Sequence, residues 1–131
     1  MAVQMSDAVL NAVLDAIETA IGASPTMEIR SGAPPANCAA ADSGTVLATI
    51  TLPADWMANA VTHAKAKSGT WQDASADASG TAGHFRIKQG ATTHFQGTVG
   101  QGSGDLSLDN IILVAGQSLT ITAFTLTAGN T

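Results

Sequence analysis

Between Ser79 and Gly100 the chain reads SGTAGHFRIKQGATTHFQGTVG, and the parity of that stretch leaves room for little except a β-hairpin. Gly83, Phe85, Ile87, Phe95, Gly97 and Val99 fall at odd positions, while His84, Arg86, Lys88, His94, Gln96 and Thr98 fall at even ones. Each arm therefore alternates apolar with polar, as a half-buried strand does. Opposed residues in a hairpin keep a constant index sum. Only an even sum sets Phe85 and Ile87 on the same side as Phe95 and Val99, so the loop should have an odd length. Lys88-Gln89-Gly90 supplies three residues, with Gly90 able to take the left-handed conformation that closes such a turn. The even face then gathers His84, Arg86, Lys88 and His94, including two of only five Lys and Arg in the chain. It is expected to be an exposed basic patch and the first candidate for partner binding.

Other strands can be placed around this hairpin. Met27 to Arg30 is a short one, followed by a loop from Ser31 to Gly44 rich in Gly, Pro and Ala. In Thr45 to Leu52, Val46, Ala48, Ile50 and Leu52 alternate with Thr45, Leu47, Thr49 and Thr51, and Pro53 ends the run. The stretch from Ala54 to Ala66 is ambiguous: Trp56, Met57, Ala60 and Val61 fit a helical turn or short strands. Gly69 to Ser79 reads as an extended edge carrying Trp71. After the flexible Gly100–Gly104 loop come short strands at Leu106–Leu108 and Ile111–Val114. In the last strand Leu119 and Ile121 are out of phase with Phe124 and Leu126, which calls for a bulge near Ala123 or a change of partner. The tail, Ala128 to Thr131, should be loose.

One helix precedes all of this. Leu10, Val13, Leu14, Ile17 and Ile21 recur at helical spacing, Asn11, Asp15 and Glu18 hold another side, Ser6 is a cap with Asp7 in the first turn, and Gly22 is the stop. Its apolar stripe packs on the chain's own sheet in the plainer reading. In the sharper one, the Gly22-Ala23-Ser24-Pro25 hinge frees it to reach a neighbouring subunit through Leu10, Leu14 and Ile17. The expected organisation is a helical arm and hinge over residues 1–25 and a β domain over 26–131. With about eight short strands and no second helix to support parallel crossovers, that domain is expected to be mainly β: an antiparallel β-sandwich, jelly-roll-like in connectivity.

The chemistry is sparse. Charged residues are 11% of the 131, and three histidines offer little material for a catalytic cleft, so an enzyme is not expected. A net charge of −5 argues against nucleic acid, whose binding rests on clustered Lys and Arg. Cys38 is alone and reads as a bystander thiol. Asp73 and Asp77 do not keep the spacing of a calcium loop. A two-histidine metal site across the hairpin is the sharper alternative for His84 and His94; a polar outer face is preferred, and no metal or cofactor is expected. No apolar run is long enough to span a membrane, the polar side of the helix lacks the Lys and Arg of a membrane-surface helix, and the amino terminus lacks a secretion signal. The chain is thus expected to be made in the cytoplasm and to bind no membrane.

Several motifs carry a resemblance. Gly80-Thr81-Ala82-Gly83-His84-Phe85-Arg86, Phe95-Gln96-Gly97-Thr98-Val99-Gly100, Asp105-Leu106-Ser107-Leu108 and Gly116-Gln117-Ser118-Leu119-Thr120-Ile121 look like small proteins encoded among the morphogenesis genes of tailed bacteriophages. Ser31-Gly32-Ala33-Pro34-Pro35 and Thr45-Val46-Leu47-Ala48-Thr49-Ile50 fit the same pattern, so that the resemblance covers roughly residues 27 to 127. It implies a virion structural part, foremost a capsid decoration or cement protein with a jelly-roll-like fold. Its partners would be the major capsid protein and other copies of itself, a dimer ahead of a trimer. A tail, fibre or baseplate-associated binding module, carbohydrate-binding through Trp56 or Trp71, is the alternative.

Overall fold

In a computed structural model that describes residues 3–128, the chain is mainly β with a single amino-terminal helix. Helix α1 spans Asp7–Ile21; the strands are β1 (Thr26–Ser31), β2 (Val46–Thr51), β3 (Ala64–Ala66), β4 (Gln72–Asp73), β5 (Gly80–Gln89), β6 (Thr92–Gly100), β7 (Leu106–Leu108), β8 (Ile112–Leu113) and β9 (Leu119–Thr127). That is the expected class; the hydrogen bonds join the strands in one curled path, β2-β1-β5-β6-β7-β9-β3, with β4 on β9 and β8 on β5, and the finer sandwich and jelly-roll connectivity is not established by that path. One neighbouring pair, β6 with β7, is parallel. The path curls around a core in which Trp56, Trp71, Phe124 and Phe85 follow one another with ring centroids 6.1, 5.6 and 5.6 Å apart. Such contacts add to the burial of the largest apolar side chains in the chain. The expected loose tail falls, beyond Ala128, outside the described residues.

The central hairpin keeps the expected parity by another route. Phe85 opposes Gly97 and Ile87 opposes Phe95, an even sum, but beyond Ile87 the register slips so that Lys88 opposes Thr93 and Gln89 opposes Thr92. The connection is thus the two residues Gly90 and Ala91, with Gly90 at φ +62° where a type II′ turn wants glycine. His94 is the extra residue of a bulge, and it is this bulge that makes the sum even. In β9 the bulge expected near Ala123 falls at Thr122: Ser107 opposes Ala123 while Leu108 opposes Ile121.

Helix α1 has the expected bounds. Ser6 caps it by accepting from the Val9 amide, and Gly22 takes φ +94° while its N–H donates to the Glu18 carbonyl. It is no free arm, however. Leu10 and Leu14 are buried, and so is Ile21, which belongs to the core. The Trp56 indole N–H donates to the Gly22 carbonyl, and the Gln89 amide donates to those of Ile21 and Ala23, which ties the hinge to the sheet.

The ambiguous stretch resolves into a small hairpin from Met57 to Lys67, turning at Thr62 and His63. Both residues have positive φ, 50° and 49°, as a two-residue type I′ turn requires. A β-branched threonine there is strained, and the helix compensates. Asn11 accepts from the His63 amide, Asp15 from that of Ala60 and Glu18 from that of Met57.

Candidate functional site

On the even face of the hairpin, the first candidate surface, the side chains point as parity requires, but the face does not meet solvent. The Gly32–Gly44 loop folds across it. Arg86, 1% exposed, donates through Nη1 to Asp42, through Nη2 to the carbonyls of Asn37, Cys38 and Ala40, and through Nε and Nη2 to Gln96 Oε1. Gln96 in turn donates to the Pro35 carbonyl at 2.7 Å. Every nitrogen of the guanidinium fork thus donates into the chain, the arrangement to which a rigid planar cation is suited.

Lys88 reaches Asp42 at 2.6 Å and Glu28 at 2.9 Å, and Arg30 bonds Glu28, Asp42 and the Ser43 carbonyl. Hydrogen bonds from Lys88 and then Arg86, with the Arg30 and Lys88 charges behind them, hold the Asp42 carboxyl down to about 2 against its partial burial. His84 is fully buried; because a carbonyl cannot donate, its Nδ1 carries the proton given to Gly32 O at 2.9 Å, and Nε2 has no partner among the described residues. His94 alone of the four is exposed, and as the bulged residue it does not oppose His84, which pairs with Thr98. The exposed basic patch is therefore corrected. His84, Arg86 and Lys88 serve as a clamp on the overlying loop, and the two histidines do not meet. A buried charge needs partners of this kind, since an unpaired one is strongly destabilising.

Arg30, Glu28 and Asp42 are the members of this clamp that the hairpin parity does not reveal; Gln96 lies on the even face with Arg86. A usable signal lies in β1: Glu28 and Arg30 alternate with the buried Met27 and Ile29, so the charged side of β1 lies beside the even face of β5, with Glu28 opposite Arg86 and Arg30 opposite His84.

The second candidate, the apolar stripe of α1, is also turned inward: Leu10 and Leu14 are buried, and Ile17 is half-buried against the core. The polar stripe is engaged too. Lys65, 1% exposed, is held by Asp15 at 2.7 Å, Glu18 at 3.0 Å and the Ala58 carbonyl at 2.9 Å. Burial pushes its ammonium down, but the bonds it donates to the two carboxylates outweigh that and the net shift is upward. The side of α1 that faces solvent is left with Ala8, Val9, Ala12, Val13, Ala16, Thr19 and Ala20, all exposed and none charged. Val9 is 47% and Val13 50% exposed. On a surface helix this arrangement is inverted, because the solvent side is ordinarily the charged one.

Comparison with family models, with curated proteins and with solved structures finds no match. Among the described residues no three His, Cys, Asp or Glu stand together as metal ligands, and no helix is long and apolar enough to cross a membrane. Trp56 and Trp71 are fully buried, with their indole N–H groups on the Gly22 and Ser68 carbonyls, so neither offers a face to a sugar.

Proposed function

We infer that the chain is a structural component of a tailed-bacteriophage virion, a capsid decoration or cement protein that binds the major capsid protein and stabilises the shell. The motif resemblance over residues 27 to 127 supports this reading, and the outward face of α1 carries it on the physical side. A protein with a charge of −5 has no solvation reason to leave one whole side of α1 without charge, whereas a surface that packs on another protein is depleted of charge at its centre. That face joins two copies of the chain. Its alanines at 8, 12, 16 and 20 form a shallow i, i+4 ridge that matches itself across a two-fold axis, and with no charge on it there is nothing to orient an ionic partner.

Docking to the shell is then left to other surfaces, because Arg86 and Lys88 are committed to the loop. Copy number in purified particles separates this reading from a tail, fibre or baseplate part. Quantitative mass spectrometry against the major capsid protein is expected to give hundreds of copies per particle. A few to dozens would place the chain in the tail and end the cement reading.

A further inference from the structure

Strands β6 and β9 flank β7, which is only three residues long. Val99 and Gly100 of β6 pair with its Leu106 and Ser107, and Leu106 opposes Phe124 of β9. Neighbouring strands lie about 4.8 Å apart, so β6 and β9 stand about 9.6 Å from each other there, with room for one strand between them. Before Leu106 the chain does not run on down that line: it leaves it at Asp105 and Gly104, the latter at φ +79°. What remains is an open slot of about 470 Å³ whose floor is Phe85, Phe95, Phe124 and Leu126.

The two walls are strand edges. On β6 the Thr98 amide bonds the Asp105 carboxylate and its carbonyl accepts from the Asp105 amide, so Thr98 faces away from β5. By the two-residue period, the Gln96 N–H and C=O face the slot as well. On β9 the Phe124 carbonyl accepts from Lys67 and the Ala128 amide donates to His63, which turns the even residues toward β3 and Thr127 toward the slot. No described strand pairs with Gln96 or Thr127 on this side. Asp105 closes the inner end as the one charged side chain among the described residues lining the slot, fixed by Thr98 N–H at 2.9 Å and Thr98 Oγ1 at 3.1 Å. Gly97 makes room for it: a Cβ there would lie 2.8 Å from the Phe85 ring and 2.9 Å from the Asp105 carboxylate.

We propose that this slot takes an extended segment of another protein as an added strand, three to five residues long, with apolar side chains at alternate positions and a cation at the Asp105 end. Main-chain bonds to both walls supply affinity, the aromatic floor selects the alternate side chains, and the carboxylate selects the charge. A second copy of this chain does not fit. Its five Lys and Arg are all engaged, Arg30, Lys65, Arg86 and Lys88 in ion pairs and Lys67 on the Gly69 carbonyl. The proposal does not depend on the helix face or on the virion assignment.

The test is titration of the ¹⁵N-labelled full chain with the synthetic peptide acetyl-Lys-Val-Thr-Val-Thr-amide. Saturable shifts are expected at the Gln96 and Thr127 amides. A peptide with Glu in place of Lys should bind several-fold more weakly at low salt, and one with both valines N-methylated should not bind. Thr127→Pro removes a slot-facing donor without touching the β3 ladder and should weaken binding about tenfold. The N-methylated peptide makes the same test on the wild-type chain should that variant not fold. Absence of saturable shifts at millimolar peptide, shifts confined to α1, or equal binding by the N-methylated peptide would overturn the proposal.

Discussion

Arg86 shows how much of the fold one side chain can hold. Its fork joins β5, Gln96 on β6, Asp42 and three carbonyls of the covering loop, so losing it strands several acceptors under that loop. Arg86→Glu, which would leave the stability nearly unchanged on an exposed face, is expected to cost about 3–5 kcal/mol, read from the midpoint of urea unfolding. Asp42 adds a pH dependence of known sign. Its carboxyl titrates at about 2 in the folded chain against 3.8 ordinarily, so its contribution is fully present above the ordinary carboxylate range and is lost as the pH falls toward 2. Loosening of the loop in that window is expected to raise the reactivity of Cys38 toward a dithiodipyridine, which reacts with thiols in acid, while Asp42→Asn should show raised reactivity already at neutral pH. At this scale the sequence told which face each hairpin residue takes, because parity is a local property. It did not tell that the even face is covered, because covering it depends on where a loop some 50 residues earlier comes to rest.

At the scale of the element, α1 was legible in its ends and misleading in its faces. Ser6 and Gly22 mark the bounds through chemistry that works within one turn. Asn11, Asp15 and Glu18 look like a solvent stripe in any helical projection, yet they satisfy the backbone of a hairpin whose turn, at Thr62 and His63, uses residues that no turn rule singles out. The helix is accordingly part of the fold. Leu10→Ala is expected to destabilise the whole chain by about 2–5 kcal/mol in a single cooperative transition. A detachable arm would instead leave the main transition in place, with only a loss of helical signal ahead of it. The same measurement on a chain lacking residues 1–22 should show no native-like transition, since Lys65 would lose both carboxylates and Trp56 its acceptor.

For the molecule as a whole, the mainly-β class follows from alternation and turn residues, with about eight strands expected against nine found, whereas the single curled path and the parallel β6–β7 pair rest on long-range pairings that no local pattern encodes. The proposed dimer rests on what the whole molecule leaves toward solvent. A helix of 15 residues is about 22 Å long, and one such face against its twin buries less than the roughly 1,200–2,000 Å² of a stable interface. The dimer should therefore be concentration-dependent and sensitive to single charges at its centre. Replacing Val9 and Val13 with Lys together places like charges across the two-fold at positions now half-exposed, where neither side chain supports the core. Sedimentation of the wild-type chain is expected to show a monomer–dimer equilibrium in the micromolar range, and the doubly substituted chain only monomer, with an unchanged unfolding midpoint. Dimer that survives in the variant would move the contact to another surface; a lowered midpoint would mean that the two valines support the fold after all.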